Sequence, residues 1–249
     1  MYLTIKGLVI RVSAYKETDA IITLLTPDHG KIAVKARGLR RKNSPLVAPC
    51  QLMAFSEFTL FEYRNMYTVN EARSIELFRD LRKDLNKLSL ATYFAQVADV
   101  LSQEDLPNPE LLSLVLNCLH VLCAKAVSEE IVKAVFELRS ACLAGYEPDL
   151  SGCHCCGAHD PDRLDISRGM LECSGCFSGE AAGIRFPVTP GMLDSMRYIC
   201  SCDPKRLFSF QCSEETACSL AQLTESYLCT QLERGFTALD FYKSQSYYQ

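Results

Sequence analysis

Apolar positions alternate along the first 80 residues and then change to a helical rhythm. The segments LTIKGLVIRV, AIITLLT, GKIAVKA, QLMAFSEFTLFEY and MYTVNEA are short runs rich in β-branched and aromatic residues. Turn-formers separate them, at Pro27-Asp28-His29-Gly30, Asn43-Ser44-Pro45 and Arg64-Asn65. Successive side chains of a strand point to opposite faces, so the alternation predicts five strands, each with one buried side. Five short strands in about 75 residues imply a small barrel or sandwich. None looks like half of a βαβ unit, and no glycine-rich phosphate loop follows one.

After residue 80 the spacing is that of helices. DLNKLSLATYFAQVADVLSQ sets Leu85, Leu88, Tyr93, Val97 and Leu101 near one stripe. Asn108-Pro109 and Thr189-Pro190 each read as an N-cap followed by proline at the first helical position. Ser128 starts a helix that runs to Cys142 or Leu143, with Gly145 placed to stop it. The last long helix begins near Ser213 and lines up Leu220, Leu223, Tyr227, Leu228 and Leu232. The tail from Lys243 is expected to fray. The pattern therefore describes an α+β, multidomain chain. A strand domain spans 1–80, and a helical domain spans 81–249 with a cysteine-rich insertion at 150–180.

Composition supports a buried core: 48% of residues are apolar and 22% charged. The opening MYLTIKGLVIRVSAY lacks the charged start and unbroken apolar run of a signal peptide. The greasiest stretch, LLSLVLNCLHVLCAKAV (111–127), is interrupted by Ser113, Asn117, His120 and Lys125, which predicts a core helix and not a membrane span. A cytoplasmic, reducing setting is expected. There, the clustered members of a set of 14 cysteines bind metal more often than one another.

Cys153 and Cys156 form one C-x2-C pair, and Cys173 and Cys176 form a second after a 16-residue spacer. Each pair fits a tight turn that aims two thiolates at one point, and two such turns supply the tetrahedral sulfur set that Zn²⁺ prefers. Gly157 and Gly175 suit the turns. Cys155, His154 and His159 are alternative ligands, although Cys155 cannot easily point inward beside Cys156. Thiols without metal are the plainer alternative. A four-thiolate site is closed to substrate, so its role would be structural. Cys118, Cys123, Cys142, Cys218 and Cys229 read as small core hydrophobes.

Charge is unevenly spread. Residues 1–80 hold 12 Lys/Arg against 8 Asp/Glu, whereas residues 81–249 hold 14 against 22. Between 31 and 42 the chain carries Lys31, Lys35, Arg37, Arg40, Arg41 and Lys42 and no acidic residue. In a strand, Ile32, Val34 and Ala36 share one face while Lys31, Lys35 and Arg37 share the other. The ordinary reading is a solvated face and a basic loop. The sharper one is a track for a phosphate backbone, binding in a salt-sensitive, sequence-tolerant way. Phe55, Phe58, Phe61, Tyr63 and Tyr67 on neighbouring strands are core residues more often than stacking platforms.

The order of these parts resembles the RecO family, bacterial recombination mediators in DNA repair. The resemblance covers nearly the whole chain. It is carried by GLVIRVSAYKETDAIITLLTPDHGKIAVKARG, by KARGLRRKNSP after the third strand, by GYEPDLSGCHCCG and by MLECSGC. It implies an N-terminal five-stranded oligonucleotide/oligosaccharide-binding (OB-fold) barrel, followed by an α-helical domain with a four-cysteine zinc ribbon. It also implies binding of single- and double-stranded DNA, annealing of complementary strands, and partnership with RecR. Contact with the C-terminal tail of single-stranded-DNA-binding protein, help in loading RecA and a cytoplasmic, nucleoid-associated location belong to the same picture. One structural zinc carries over onto Cys153, Cys156, Cys173 and Cys176, and the basic barrel surface onto Lys31, Lys35, Arg37, Arg40, Arg41 and Lys42. Some members lack the cysteines, and the cysteine-rich body and acidic helical half, peculiar to this sequence, leave open how far DNA contact extends beyond the barrel. The competing reading is a zinc-ribbon protein-interaction scaffold without a DNA role. No Cys/His pairing or paired-carboxylate motif stands out, and His29, His120, His154 and His159 are scattered, so an enzyme is not expected.

Overall fold

The computed structural model describes residues 1–64, 66–176 and 183–246. Asn65 of the expected Arg64-Asn65 turn, residues 177–182 of the insertion and residues 247–249 of the tail lie outside the described residues. The chain divides into two compact units, Met1–Cys123 with Phe236–Gln249, and Ala124–Gly235.

In the first unit, β1 (Tyr2–Tyr15), β2 (Asp19–Leu25), β3 (Lys31–Ala36), β4 (Phe55–Tyr63) and β5 (Met66–Glu76) close into a barrel in the order β1-β2-β3-β5-β4. Closure depends on the length of β1. Its first half pairs with β4 and its second half with β2, and a bulge between Val9 and Arg11 bends it between the two. The parallel β3–β5 pairing, Val34 with Tyr67 and Lys35 with Thr68, seals the last seam. The inward positions of the alternation, among them Ile5, Val9, Ile22, Leu24, Ile32, Val34, Phe58, Leu60 and Val69, form the barrel core. Residues 51–54, expected to lead into β4, form a turn instead. Met53 there takes a φ of 65°, which no strand accommodates.

Helices α1 (Leu85–Leu101), α2 (Pro109–Ala124) and α6 (Thr237–Ser246) complete this unit. Asp84 caps α1 by accepting from the Asn86 and Lys87 N–H groups, and Asn108 caps α2 by accepting from Leu111 N–H at 3.0 Å. The core stripe of α1 is rotated from the expected one. Leu85 is exposed and Leu88 half-buried, while Leu90, Tyr93, Phe94 and Val97 are buried. The seven apolar side chains that α2 buries run from Leu111 to Leu122, as a core helix requires. Among the described residues no helix is long and apolar enough to cross a membrane. Lys243–Ser246, expected to fray, are helical. Gln96 of α1 pins the start of α6 from both amide atoms, to Thr237 Oγ1 at 3.1 Å and Ala238 N–H at 3.2 Å, and Leu239 and Tyr242 are buried.

The second unit holds α3 (Glu129–Leu143), a sheet of β6 (Asp149–Cys153), β7 (Arg163–Asp165), β8 (Met170–Glu172) and β9 (Arg185–Pro187), then α4 (Pro190–Ser201) and α5 (Glu214–Gln231). The sheet order is β6-β8-β7-β9. Ser128, Thr189 and Ser213 cap the three helices where the sequence places their starts. Of the expected α5 stripe, Leu220, Leu223, Tyr227 and Leu228 are buried. A buried polar knot joins α3 to α5. Lys133 Nζ lies 3.1 Å from Glu137 and 2.9 Å from Glu225 and donates to the Ala221 carbonyl, while Thr224 Oγ1 donates to Glu137 at 2.7 Å.

Burial raises the Glu137 carboxyl above its usual range, against the pull of Lys133. Lys133→Met leaves that carboxylate buried without its main cation, at an expected cost of roughly 3–5 kcal/mol near neutral pH. Without the lysine the carboxyl rises further, so protonation in the folded state relieves the penalty. The deficit relative to wild type should therefore shrink as the pH is lowered. Chemical denaturation at two pH values checks this, and a pH-independent deficit contradicts it.

Candidate metal centre and nucleic-acid interface

The two C-x2-C pairs sit on neighbouring strands of the small sheet. Cys153 ends β6 and Cys173 follows β8, which pairs parallel to β6 with Cys153 opposite Leu171. His154 N–H donates to the Leu171 carbonyl at 2.9 Å, and Cys153 N–H to the Ala158 carbonyl at 2.8 Å, so the first turn is anchored at both ends. Gly157 completes that turn at φ 72°, with its N–H bonded to the Cys153 carbonyl at 2.8 Å. The second turn closes through Cys176 N–H to the Cys173 carbonyl at 3.0 Å and needs no left-handed residue at Gly175.

These turns bring the sulfurs of Cys153, Cys156, Cys173 and Cys176 within 4.8 Å of one another. Cys156 Sγ and Cys173 Sγ are 3.8 Å apart. Bonds of ~2.3 Å to a tetrahedral ion set sulfurs at roughly this spacing, so the four donors fit a metal ion. The local electrostatics fit as well. The Cys156 backbone N–H, with those of Cys155 and Cys173, pulls the Cys153 thiol down to about 6. Desolvation and the neighbouring sulfurs push Cys173 up to about 11, and the Cys156 sulfur above all pushes Cys176 up to about 12. One thiolate forms readily, and its charge keeps Cys173 and Cys176 protonated until a cation neutralises the group.

The alternative ligands point elsewhere. Cys155 is exposed, with its sulfur 3.4 Å from His154 Nε2. His154 Nε2 lies 3.1 Å from Glu172 Oε1, and His159 is exposed beside Asp160. Glu172 and Asp165 both face the buried Arg185 side chain, at 3.4 and 3.3 Å, tying β7, β8 and β9 beneath the cysteines. Burial raises the Glu172 carboxyl, but its bonds to His154 and Arg185 outweigh that and hold it below the usual range. Sequence spacing did not single out this support. Of the cysteines read as core hydrophobes, Cys118 is buried, Cys123, Cys142 and Cys229 are partly exposed, and Cys218 is exposed.

On the barrel, Ile32, Val34 and Ala36 are buried as the alternation requires. The six cations of 31–42 fall into two groups. Lys31 Nζ is held by Asp99 of α1, 2.6 Å from its carbonyl and 3.1 Å from its carboxylate. Lys35 Nζ lies 3.5 Å from Asp19 and 4.9 Å from the Tyr15 ring centroid. Arg37, Arg40, Arg41 and Lys42 are exposed. Arg37 and Arg41 line a shallow pocket with Gly38, Asn43, Ser44, Pro45 and Leu46. The loop is tied to the β1–β2 turn, with Arg40 N–H donating to the Thr18 carbonyl at 2.9 Å. Lys16 and Tyr15, also exposed, therefore join the basic cluster, with Lys16 Nζ 5.6 Å from the Tyr15 ring. Separated by about 20 positions in the chain, they carry no local sequence signal that connects them to it. Of the aromatic residues considered, Phe58 is buried, Phe61 and Tyr63 are exposed, and Phe55 and Tyr67 are half-buried.

Both parts of the chain match models of one family. Residues 1–78 match Recombination protein O N terminal, and residues 82–240 match Recombination protein O C terminal. The chain belongs to the RecO family. It is 36% identical over 246 residues to DNA repair protein RecO of Acetivibrio thermocellus, covering 98% of this chain and 97% of that one. It is 29% identical to the protein of the same name from Alkaliphilus metalliredigens, covering 98% and 99%. With that from Bacillus subtilis it shares 30% over 223 residues, covering 89% and 86%.

Removing one sulfur should abolish tight metal binding. Protein purified without chelator is expected to hold about one tightly bound metal ion per chain by elemental analysis, and Cys173→Ala less than about a tenth of that. Unchanged metal content in the variant would contradict the four-sulfur site.

Proposed function

We propose that this RecO-family protein is a non-enzymatic, DNA-binding recombination mediator whose contact surface is the basic end of the barrel. The observation that carries the reading is the exposed row Arg37, Arg40, Arg41 and Lys42, fixed to a closed five-stranded barrel. Cations held on a rigid frame displace the condensed counterions of a nucleic acid without reading its sequence. Such binding suits a protein that meets single strands, duplexes and annealing intermediates of any sequence. Lys31 and Lys35 already face carboxylates, so in this reading they set the position of the strand more than they contact phosphate. Lys16 and Tyr15 extend the contact surface.

Within this proposal, residues 1–80 are the DNA-binding domain and residues 81–249 the helical domain. The protein anneals complementary strands and, with RecR, helps to load RecA onto strands coated by single-stranded-DNA-binding protein, whose C-terminal tail it contacts. It works in the cytoplasm at the nucleoid. The ion held by Cys153, Cys156, Cys173 and Cys176 is zinc, the metal that an all-thiolate tetrahedral set selects in a reducing compartment. Its role is structural, because four sulfurs leave no position for a substrate or water.

Reversing Arg40, Arg41 and Lys42 to Glu should remove most single-stranded DNA binding at moderate salt while leaving thermal stability near wild type, since these side chains are exposed. Fluorescence anisotropy with an oligonucleotide measures the first and differential scanning calorimetry the second. A folded triple variant that binds like wild type would sink the proposal.

A further inference from the structure

A second group of soft donors lies in the second unit, apart from the four-cysteine turns. Cys142 is in the last turn of α3, Cys200 is in the last turn of α4, and Glu147 lies on the segment that leaves α3. One donor atom from each falls within 4.8 Å of the others. The two sulfurs are 3.7 Å apart, close to the 3.8 Å between Cys156 and Cys173. Their surroundings hold them there. Arg139, one turn before Cys142, donates to the Cys200 carbonyl at 2.7 Å and the Ile199 carbonyl at 3.3 Å, clamping the end of α4 against α3. Tyr146 N–H returns to the Ala141 carbonyl at 2.9 Å and Gly145 N–H to the Cys142 carbonyl at 3.0 Å, with Gly145 at φ 86°. This helix-ending turn folds the chain back and carries Glu147 over Cys142. Tyr227 fixes the same segment by donating to the Tyr146 carbonyl at 2.9 Å.

We propose that Cys142, Cys200 and Glu147 form a second binding site for a thiophilic divalent cation, with a coordination position open to solvent. The sulfur spacing is what ~2.3 Å bonds to one tetrahedral ion produce. Two thiolates and a carboxylate beside the Arg139 guanidinium leave two net negative charges, which one divalent ion balances. The C-terminal ends of two helices meet at the site, and their partial negative charge also favours a cation. The cysteines are partly exposed and Glu147 is exposed, so an ion can enter without opening the fold. Three protein donors and an open position make this site weaker and more exchangeable than the four-sulfur one.

Full-length protein, stripped of metal and kept under a non-thiol reductant, is titrated with Co²⁺ and followed by its thiolate-to-cobalt charge-transfer absorption. Wild type should saturate in two steps, the second weaker and with a smaller absorption because it involves two thiolates. Cys142→Ser/Cys200→Ser should lose only the second step, and Glu147→Gln should weaken that step by roughly tenfold or more. Serine is close in size to cysteine, and circular dichroism of the double variant checks that it folds. Saturation of folded wild type at one equivalent overturns the proposal, as does a second step that survives in the folded double variant.

Discussion

The Asp19 carboxylate holds the cationic end of the barrel in place. Asp19 Oδ1 accepts the Gly38 N–H at 2.9 Å, and Oδ2 faces Lys35 Nζ at 3.5 Å. The Gly38 N–H above all, with Lys35, keeps the carboxyl below its usual range, so it stays ionised wherever the protein is folded and near neutral pH. Gly38 sits at φ 64°, where a side chain is strained, and this reverses the chain out of β3. Arg41 N–H then closes onto the Gly38 carbonyl at 3.1 Å. One carboxylate therefore sets the start of the basic loop, and the loop's own hydrogen bonds set the rest. A row of cations repels itself, and without such an anchor the loop would spread.

The second unit solves a different problem. Among the described residues, three of its four strands are three residues long and each offers little apolar area. A sheet of that size does not hold itself together by burial alone. The cysteine turns and the Asp165–Arg185–Glu172–His154 chain add to the small core of Leu150, Leu164, Ile166 and Leu171. A cation held by the four sulfurs would let them ionise together and would tie the two turns to each other.

Much of this was legible in the chain. Alternation along 31–36 marked the buried face of β3, and the caps Asn108, Ser128, Thr189 and Ser213 marked helix starts, because both depend on neighbouring residues alone. Cysteine spacing identified the four sulfurs for the same reason. Other features depended on contacts between distant positions. The α1 stripe was misread at Leu85 because distant elements, β1 and α6 among them, decide which face of the helix is covered. The tail from Lys243 was expected to fray because nothing local shows Gln96 waiting for Thr237 and Ala238. Charge counting grouped Lys31 and Lys35 with the exposed cations, since neither Asp99 nor Asp19 lies in the same segment. Cys142 read as a core residue and Cys200, 58 positions away, drew no reading of its own; only the fold brings them together.

The central claim is that the exposed cations of the barrel, and not the paired ones, meet the phosphate backbone. The salt dependence of single-stranded oligonucleotide binding tests this most directly. Each phosphate neutralised contributes about 0.7 to the slope of log affinity against log salt concentration. Alanine at Arg37, Arg40, Arg41 and Lys42 should flatten the slope step by step as each is added, whereas Lys31→Ala should leave it unchanged. A slope that is the same in the quadruple variant as in wild type, or one that flattens on loss of Lys31 alone, would contradict the account.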